Sequence, residues 1–394
     1  MKKTFLKVTL MTAFLSILLA SCGDVGGQEP QKDEDGAIKG PLTTIETWPG
    51  KDSEGNPITY YINERYLIHE GGSLTIEEGA IVKFGEAGGM RVNSQSITAE
   101  GVIFTSWRDP RGRTIKAAGA AAPDAGDWGG IYIYNSVAKF TNCEFSYAGK
   151  TYSTVEVTSG SKARIDKCTF KNNSGTGSIK DRDSGVIAAL KFGSSTTYDQ
   201  QKNCVTNTSF ENNVWPVSMP AGFYISNTNT FSNNEYEFVY INTASIQSDT
   251  TWDYLSIPYM FSDNNNLTIH PNATLTINGG NKEGVDKSTL VTTICFVEGG
   301  IYISEKGSLK VNDYIKFTNN PKNPDNLFKG IQCVTSRKWM EGKSVDSANG
   351  VYLKSSATVT IENDNIPESK NNDRWTAEIE AINSYDVFKY NQIN

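Results

Sequence analysis

Chemistry in a folded chain needs side chains that can ligate, attack or move a proton, and this chain is sparing with them. It holds two histidines, His69 and His270, in matching local contexts far apart in sequence. A histidine metal site or a serine–histidine–aspartate triad needs its partners close by, so both are read as residues near a repeated bend. Of six cysteines, Cys22 stands apart near the start. Cys143, Cys168, Cys204, Cys295 and Cys333 contain no Cys-x-x-Cys pair, which sets aside the usual zinc and redox motifs. Cys143 and Cys168 each lie two residues before a phenylalanine and are expected as buried thiols in neighbouring turns rather than as a disulfide. The aromatics say more, with 7 Trp and 18 Tyr. Trp107, Trp128 and Tyr152 fall on bends or strand edges, and Tyr132 and Tyr134 share one face of a strand. Flat rings on a long face suit stacking against sugars, so Trp107, Trp128, Tyr132, Tyr134 and Tyr152 are the candidate ligand-binding set. The competing structural reading has Trp128 and several tyrosines plugging loops.

The elements that would position these residues are short strands. From about Leu42 to Asn363 almost no stretch has helical period. Runs such as Leu74–Ile76, Ala80–Phe84, Val102–Thr105, Gly130–Tyr134 and Ala138–Phe145 are rich in Val, Ile, Thr, Phe and Tyr and end at or near Gly, Asn, Asp or Ser. A repeat orders them. Phe-x-Asn-Asn occurs at Phe170–Asn173, Phe210–Asn213, Phe231–Asn234 and Phe317–Asn320, with a degraded copy at Phe261–Asn264. In a parallel coil, turns rise by ~4.8 Å, so equivalent residues should stack, Phe inside and Asn at a tight bend. A longer repeat matches Leu67–Ile76 to Leu267–Ile277, Met90–Thr105 to Ile301–Thr318, and Gly129–Ile133 to Gly350–Leu353. Two related halves are expected, 42–165 and 250–364, joined by Phe-x-Asn-Asn coils.

These features resemble the right-handed parallel β-helix, or pectate-lyase-like, superfamily. The sharpest motif is Gly88-Gly89-Met90, then Gly101 to Ser106 ending Phe-Thr-Ser, then Asp127-Trp128-Gly129-Gly130-Ile131. The resemblance implies an all-β right-handed parallel β-helix solenoid of roughly 11–14 coils with capped ends. Residues 41–365 are expected to form it and 366–394 a C-terminal cap, with Trp375–Ile382 as a short helix or a last strand. Lyases of this fold use carboxylate-bound calcium and a basic residue that removes a proton beside a uronate. The nearest material here is Lys180, Asp181 and Asp183 with Lys191, and none of it matches the superfamily's catalytic motifs residue by residue. Arg108, Asp109, Arg111 and Arg113 occupy the loop that is often acidic in family members, a departure that puts a metal loop in doubt. No metal site is expected, and calcium enters only under the lyase alternative.

The start of the chain resembles a bacterial lipoprotein precursor. Basic Lys2 and Lys3, an apolar stretch to Ala20, and Leu19-Ala20-Ser21-Cys22 form a signal peptide over 1–21 with Cys22 as the lipidated residue. Residues 22–40 read as a flexible tether. The expected location is the outer membrane, held by the lipid alone, with the outer face favoured. A net charge of −7 argues against nucleic acid, which demands a basic footprint. A hydrophobic content of 38% excludes a polytopic membrane protein. A monomer that binds extracellular polysaccharide or another surface ligand, without catalysis, is the expected function. A calcium-dependent polysaccharide lyase or related hydrolase is the first alternative, and a structural or adhesive surface protein the second.

Overall fold

The computed structural model describes residues 32, 36–116, 119, 121–158, 160–177, 185–194, 203–263, 265–281, 283–297, 299–304, 307–312 and 314–319. Five further strands are placed: Ile331–Cys333, Gly350–Lys354, Thr358–Ile361, Trp375–Ile382 and Tyr385–Gln392. Cys22, the tether up to residue 31, and Lys180, Asp181 and Asp183 lie outside the described residues.

Short strands separated by bends cannot each bury a face alone, and here they do so by coiling. The chain visits one sheet after another and returns one rung higher, giving a right-handed parallel β-helix. A spine sheet of eleven parallel strands runs from Arg65–Ile68 through Gly89–Asn93, Ile131–Tyr134, Val155–Val157 and Leu190–Phe192 up to Thr358–Ile361. Eleven rungs at ~4.8 Å span about 48 Å, at the short end of the expected range. Two further sheets complete the lower turns. The second has six strands, from Ile45–Trp48 to Cys204–Thr206, and the third has seven, from Thr59–Ile62 to Thr230–Ser232. The second ends at residue 206 and the third at residue 232. Above them a four-stranded and a six-stranded sheet take over, while the spine continues. Among the described residues there is no α-helix.

The third sheet explains the Phe-x-Asn-Asn signature. Phe104, Phe145, Phe170, Phe210 and Phe231 pair in register, with ring centroids 5.0, 4.7, 5.2 and 5.2 Å apart. The first asparagine of each copy, Asn172, Asn212 and Asn233, turns the corner with φ of 55, 53 and 54°, a left-handed backbone that Asn tolerates. The second asparagine stacks inward. Asn213 Nδ2 donates to the Phe170 carbonyl (3.0 Å) and to Asn234 Oδ1 (3.1 Å), while its Oδ1 accepts from Asn173 Nδ2 at 2.8 Å.

The expectation that all five copies share a position needs correction. Phe261 and Phe317 lie on the spine sheet instead. The matched halves are out of phase by one face: Met90–Thr105 runs spine, second, third sheet, whereas Ile301–Thr318 runs fourth, fifth, spine. Gly350–Lys354 lies on the fifth sheet and so does not answer Gly129–Ile133 in that phase. Between the two halves, the turn from Val217–Pro220 to Val239–Thr243 carries a strand on the third sheet but none on the second.

Both ends carry distinct closures. Trp48, on the second sheet's lowest rung, is fully buried, stacked on Tyr60 at 4.7 Å with Tyr66 at 5.6 Å. At the other end Trp375–Ile382 is a strand, paired antiparallel with Tyr385–Gln392, which in turn pairs antiparallel with Gly350–Lys354. A reversal of strand direction stops the parallel ladder from adding another copy.

Candidate ligand-binding face

The outer face of the spine sheet is built by alternation. In Ile131–Tyr134 the isoleucines point inward and are buried, Tyr132 is half-buried, and Tyr134 is 39% exposed. Register then brings distant residues into one outward row: Leu67, Arg91, Tyr132, Glu156 and Lys191 on successive rungs. Two glycine pairs permit the close entry of the chain into these strands. A Cβ on Gly88 would meet the Ile62 carbonyl at 2.5 Å, and one on Gly130, at φ +115°, the Ser153 carbonyl at 2.4 Å.

Three of the candidate aromatics converge on this face. Tyr132 lies 5.0 Å from Tyr152 and 6.5 Å from Tyr134 between centroids. Arg91 sits over both Tyr132 (5.4 Å) and Tyr134 (5.5 Å), and Arg65 over Tyr152 at 5.3 Å, distances typical of cation–π contact. Burial raises the pKa of the Tyr132 hydroxyl, with Glu156 adding and Arg91 subtracting. Arg65 also borders a cleft of about 260 Å³. Lys39, Asn63, Glu64 and Tyr66 line it with the 37–40 backbone.

The platform has an upper limit. Beyond Lys191 the same row continues as Ser218, Tyr240, Met260 and Cys295, and all four are buried. There an apolar cluster covers the sheet's outside, with Trp215 stacked on Tyr236 at 4.1 Å. The open face therefore belongs to the lower turns.

Two expected members leave the ligand-binding set. Trp128 is 0% exposed, stacked on Phe84 at 4.1 Å, with its Nε1 donating to the Ser146 carbonyl at 2.8 Å. No ring face is left for a ligand, which corrects the expectation for that residue. Trp107 packs half-buried against Ala37, Tyr61 and Ile115, apart from the tyrosines. Of the residues of the lyase alternative, Lys191 is described; it pairs with Glu156 at 3.3 Å.

A second charged cluster, on the third sheet, is a clasp. Buried Lys83 donates through Nζ to the carbonyls of Asp109 (2.6 Å) and Arg113 (2.9 Å). Arg111 bridges Asp109 and Glu144, both at 2.6 Å, Lys171 meets Glu144 at 2.9 Å, and Arg108 meets Asp127 at 2.7 Å. Burial alone would raise the Asp109 carboxyl. Hydrogen bonds from the Arg111 side chain and backbone and from Thr105 outweigh it and hold the group at about 2. Burial likewise lowers the Lys83 ammonium, partly offset by Asp109. These pairs pin the 107–116 loop to the sheet, so Arg108 and Arg111 are structural. Among the described residues no group of three or more His, Cys, Asp or Glu side chains is placed to hold a metal ion.

Cys143 and Cys168 are buried free thiols in adjacent turns. Their Sγ atoms donate to the backbone carbonyls of Thr141 (3.3 Å) and Asp166 (3.4 Å).

Sequence reasoning missed Arg65 and Arg91. A signal for Arg91 existed: Gly88-Gly89-Met90-Arg91 aligns with Gly129-Gly130-Ile131-Tyr132, placing arginine directly below tyrosine. Arg65 had none, because Tyr152 reaches it from a loop. Comparison of the chain with protein-family models, curated proteins and solved structures finds no match.

Proposed function

We propose that this chain is a lipid-anchored β-helix that binds extracellular polysaccharide on its spine sheet without catalysing a reaction. The observation that carries the reading is the cluster of Tyr132, Tyr134 and Tyr152 on the open outer face, with centroids 5.0 and 6.5 Å apart. Tyr132 and Tyr134 are held on one rung of the coil and Tyr152 packs against Tyr132, so the rings need little ordering when a sugar stacks on them, which is how pre-organised aromatics gain affinity. In this reading Cys22 carries the lipid, the chain acts as a monomer at the outer membrane, and the rod presents the face away from the bilayer.

The test is size-exclusion chromatography of labelled polysaccharides after incubation with the full chain, with and without calcium. Polymer moving to larger apparent size, in either condition, is the expected result, and it should vanish in Tyr132→Ala/Tyr152→Ala. Polymer shortened only when calcium is present would overturn the reading in favour of a lyase using Lys180, Asp181, Asp183 and Lys191. No shift with any polymer would turn attention to an adhesive role with a protein partner.

A further inference from the structure

Resting on the glycan-binding reading above, we propose that the tyrosine platform selects sugars bearing an anionic substituent, a carboxylate or a sulfate, and that Arg65 and Arg91 hold it. Both arginines stand on adjacent strands of the spine, Arg65 in register with Gly89 and Arg91 two residues further along. Their guanidinium carbons lie 5.3–5.5 Å from the Tyr152, Tyr132 and Tyr134 ring centroids. A guanidinium resting on a ring engages its flat face and keeps the N–H fork at its rim available to a carboxylate or sulfate.

Neither arginine donates a side-chain hydrogen bond or forms an ion pair with any described residue. The contrast lies within the same molecule. Arg108 and Arg111 are neutralised by carboxylates at 2.7 and 2.6 Å, and the nearby Glu156 is already taken by Lys191. Lys150 is likewise matched by Glu86 at 2.7 Å. What remains unmatched beside the tyrosines is positive: Arg65, Arg91 and, across the cleft, Lys39, against the single carboxylate of Glu64. A chain of net charge −7 that leaves two arginines side by side without acidic partners holds a site whose self-repulsion an anion relieves. The cleft beside Arg65, at about 260 Å³, has room for one ring-sized group next to the stacked sugar.

The experiment measures equilibrium binding of the full chain, at physiological ionic strength, to dextran, carboxymethyl dextran and dextran sulfate. These share one backbone and differ in charge. At least one charged polymer should bind about tenfold or more tighter than dextran, and R65Q/R91Q should bring it to within about twofold of dextran. Loss with dextran sulfate alone assigns the site to sulfate, and loss with the carboxymethyl polymer alone to carboxylate. K139Q/R164Q, which removes a cationic pair from the second sheet, should change nothing, and all variants should keep the parent's thermal midpoint. Equal affinity for neutral and charged polymers, or a charge preference that survives in R65Q/R91Q or disappears in K139Q/R164Q, overturns the proposal. The parent reading fails separately, when Tyr132→Ala/Tyr152→Ala leaves binding of every polymer unchanged. Binding of none of the three overturns both.

Discussion

Two groups of aromatic rings rise along this solenoid with nearly the same spacing and opposite surroundings. On the third sheet, Phe104 to Phe231 stack at 4.7–5.2 Å, most of them fully buried and edged by an asparagine ladder. On the outer face of the spine, Tyr132 and Tyr152 stand 5.0 Å apart with only arginines lying on them. The phenylalanine column is a product of parallel register, which repeats a residue type at ~4.8 Å, whereas Tyr152 reaches Tyr132 from a loop, so ring proximity is not by itself a sign of a ligand. What separates a structural column from a binding one is which groups remain unsatisfied. The phenylalanines and asparagines are spent on internal contacts, whereas Tyr134 is 39% exposed and Arg65 and Arg91 form no ion pair with a described residue. The third-sheet clasp makes the same point with charges: it is rich in ionisable groups, and Arg108 and Arg111 are both matched by carboxylates.

The largest effect that could break this contrast is on stability. Phe170→Ala should cost about 3–5 kcal/mol, through lost burial and a cavity in a column packed on both sides. Tyr134→Ala, on the open face, should stay within about 0.5 kcal/mol. Urea denaturation of the two variants measures both, and equal costs would erase the distinction. Next comes the ladder: Asn213→Ala removes the side-chain bonds to the Phe170 carbonyl and to Asn173 and should cost about 1–3 kcal/mol, read from the same midpoint shift.

The clasp sharpens the comparison through pH. The Asp109 carboxyl is held at about 2 when folded, below its ordinary value near 4. A carboxyl so depressed gives its full stabilisation above the ordinary value and loses it as pH falls through about 2. Stability should therefore drop between pH ~4 and ~2, with Glu144, also depressed, contributing in the same direction. In Asp109→Asn the fall over that window should be shallower, as followed by thermal midpoint against pH. A parallel fall in both proteins would show that the clasp carries no such linkage. The smallest effect on folding is expected from Tyr132→Ala, whose thermal midpoint should stay near the parent's while polysaccharide binding is lost.

Much of this was legible in one dimension. Short β-rich runs ending at Gly, Asn or Ser, with Phe-x-Asn-Asn recurring, require a coil because only stacked turns place Phe on Phe and let the second Asn bond along the ladder. The inward alternation of Ile131 and Ile133 likewise put Tyr132 and Tyr134 together on the outside. Less legible was which face each turn uses. Phe261 and Phe317 carry the same local pattern as Phe170, yet they lie on the spine. Trp128 sits in the sharpest motif of the chain and could be read as exposed. Its ring instead stacks on Phe84 inside the core of the coil, a contact between turns that no spacing encodes.

The sequence by itself therefore determined the parallel coil, its asparagine corners, the buried thiols of Cys143 and Cys168, and two of the three clustered tyrosines. These follow from short-range alternation and from register, which repeats each local choice in every turn. Only the tertiary structure decided the phase of the upper turns, the burial of Trp128, the spending of the loop arginines on Asp109, Asp127 and Glu144, and the arrival of Arg65 at Tyr152. The last two depend on how loops of unequal length fold back on the outside of the coil. There no register constrains them, and contact is settled by charge pairing and the space that remains.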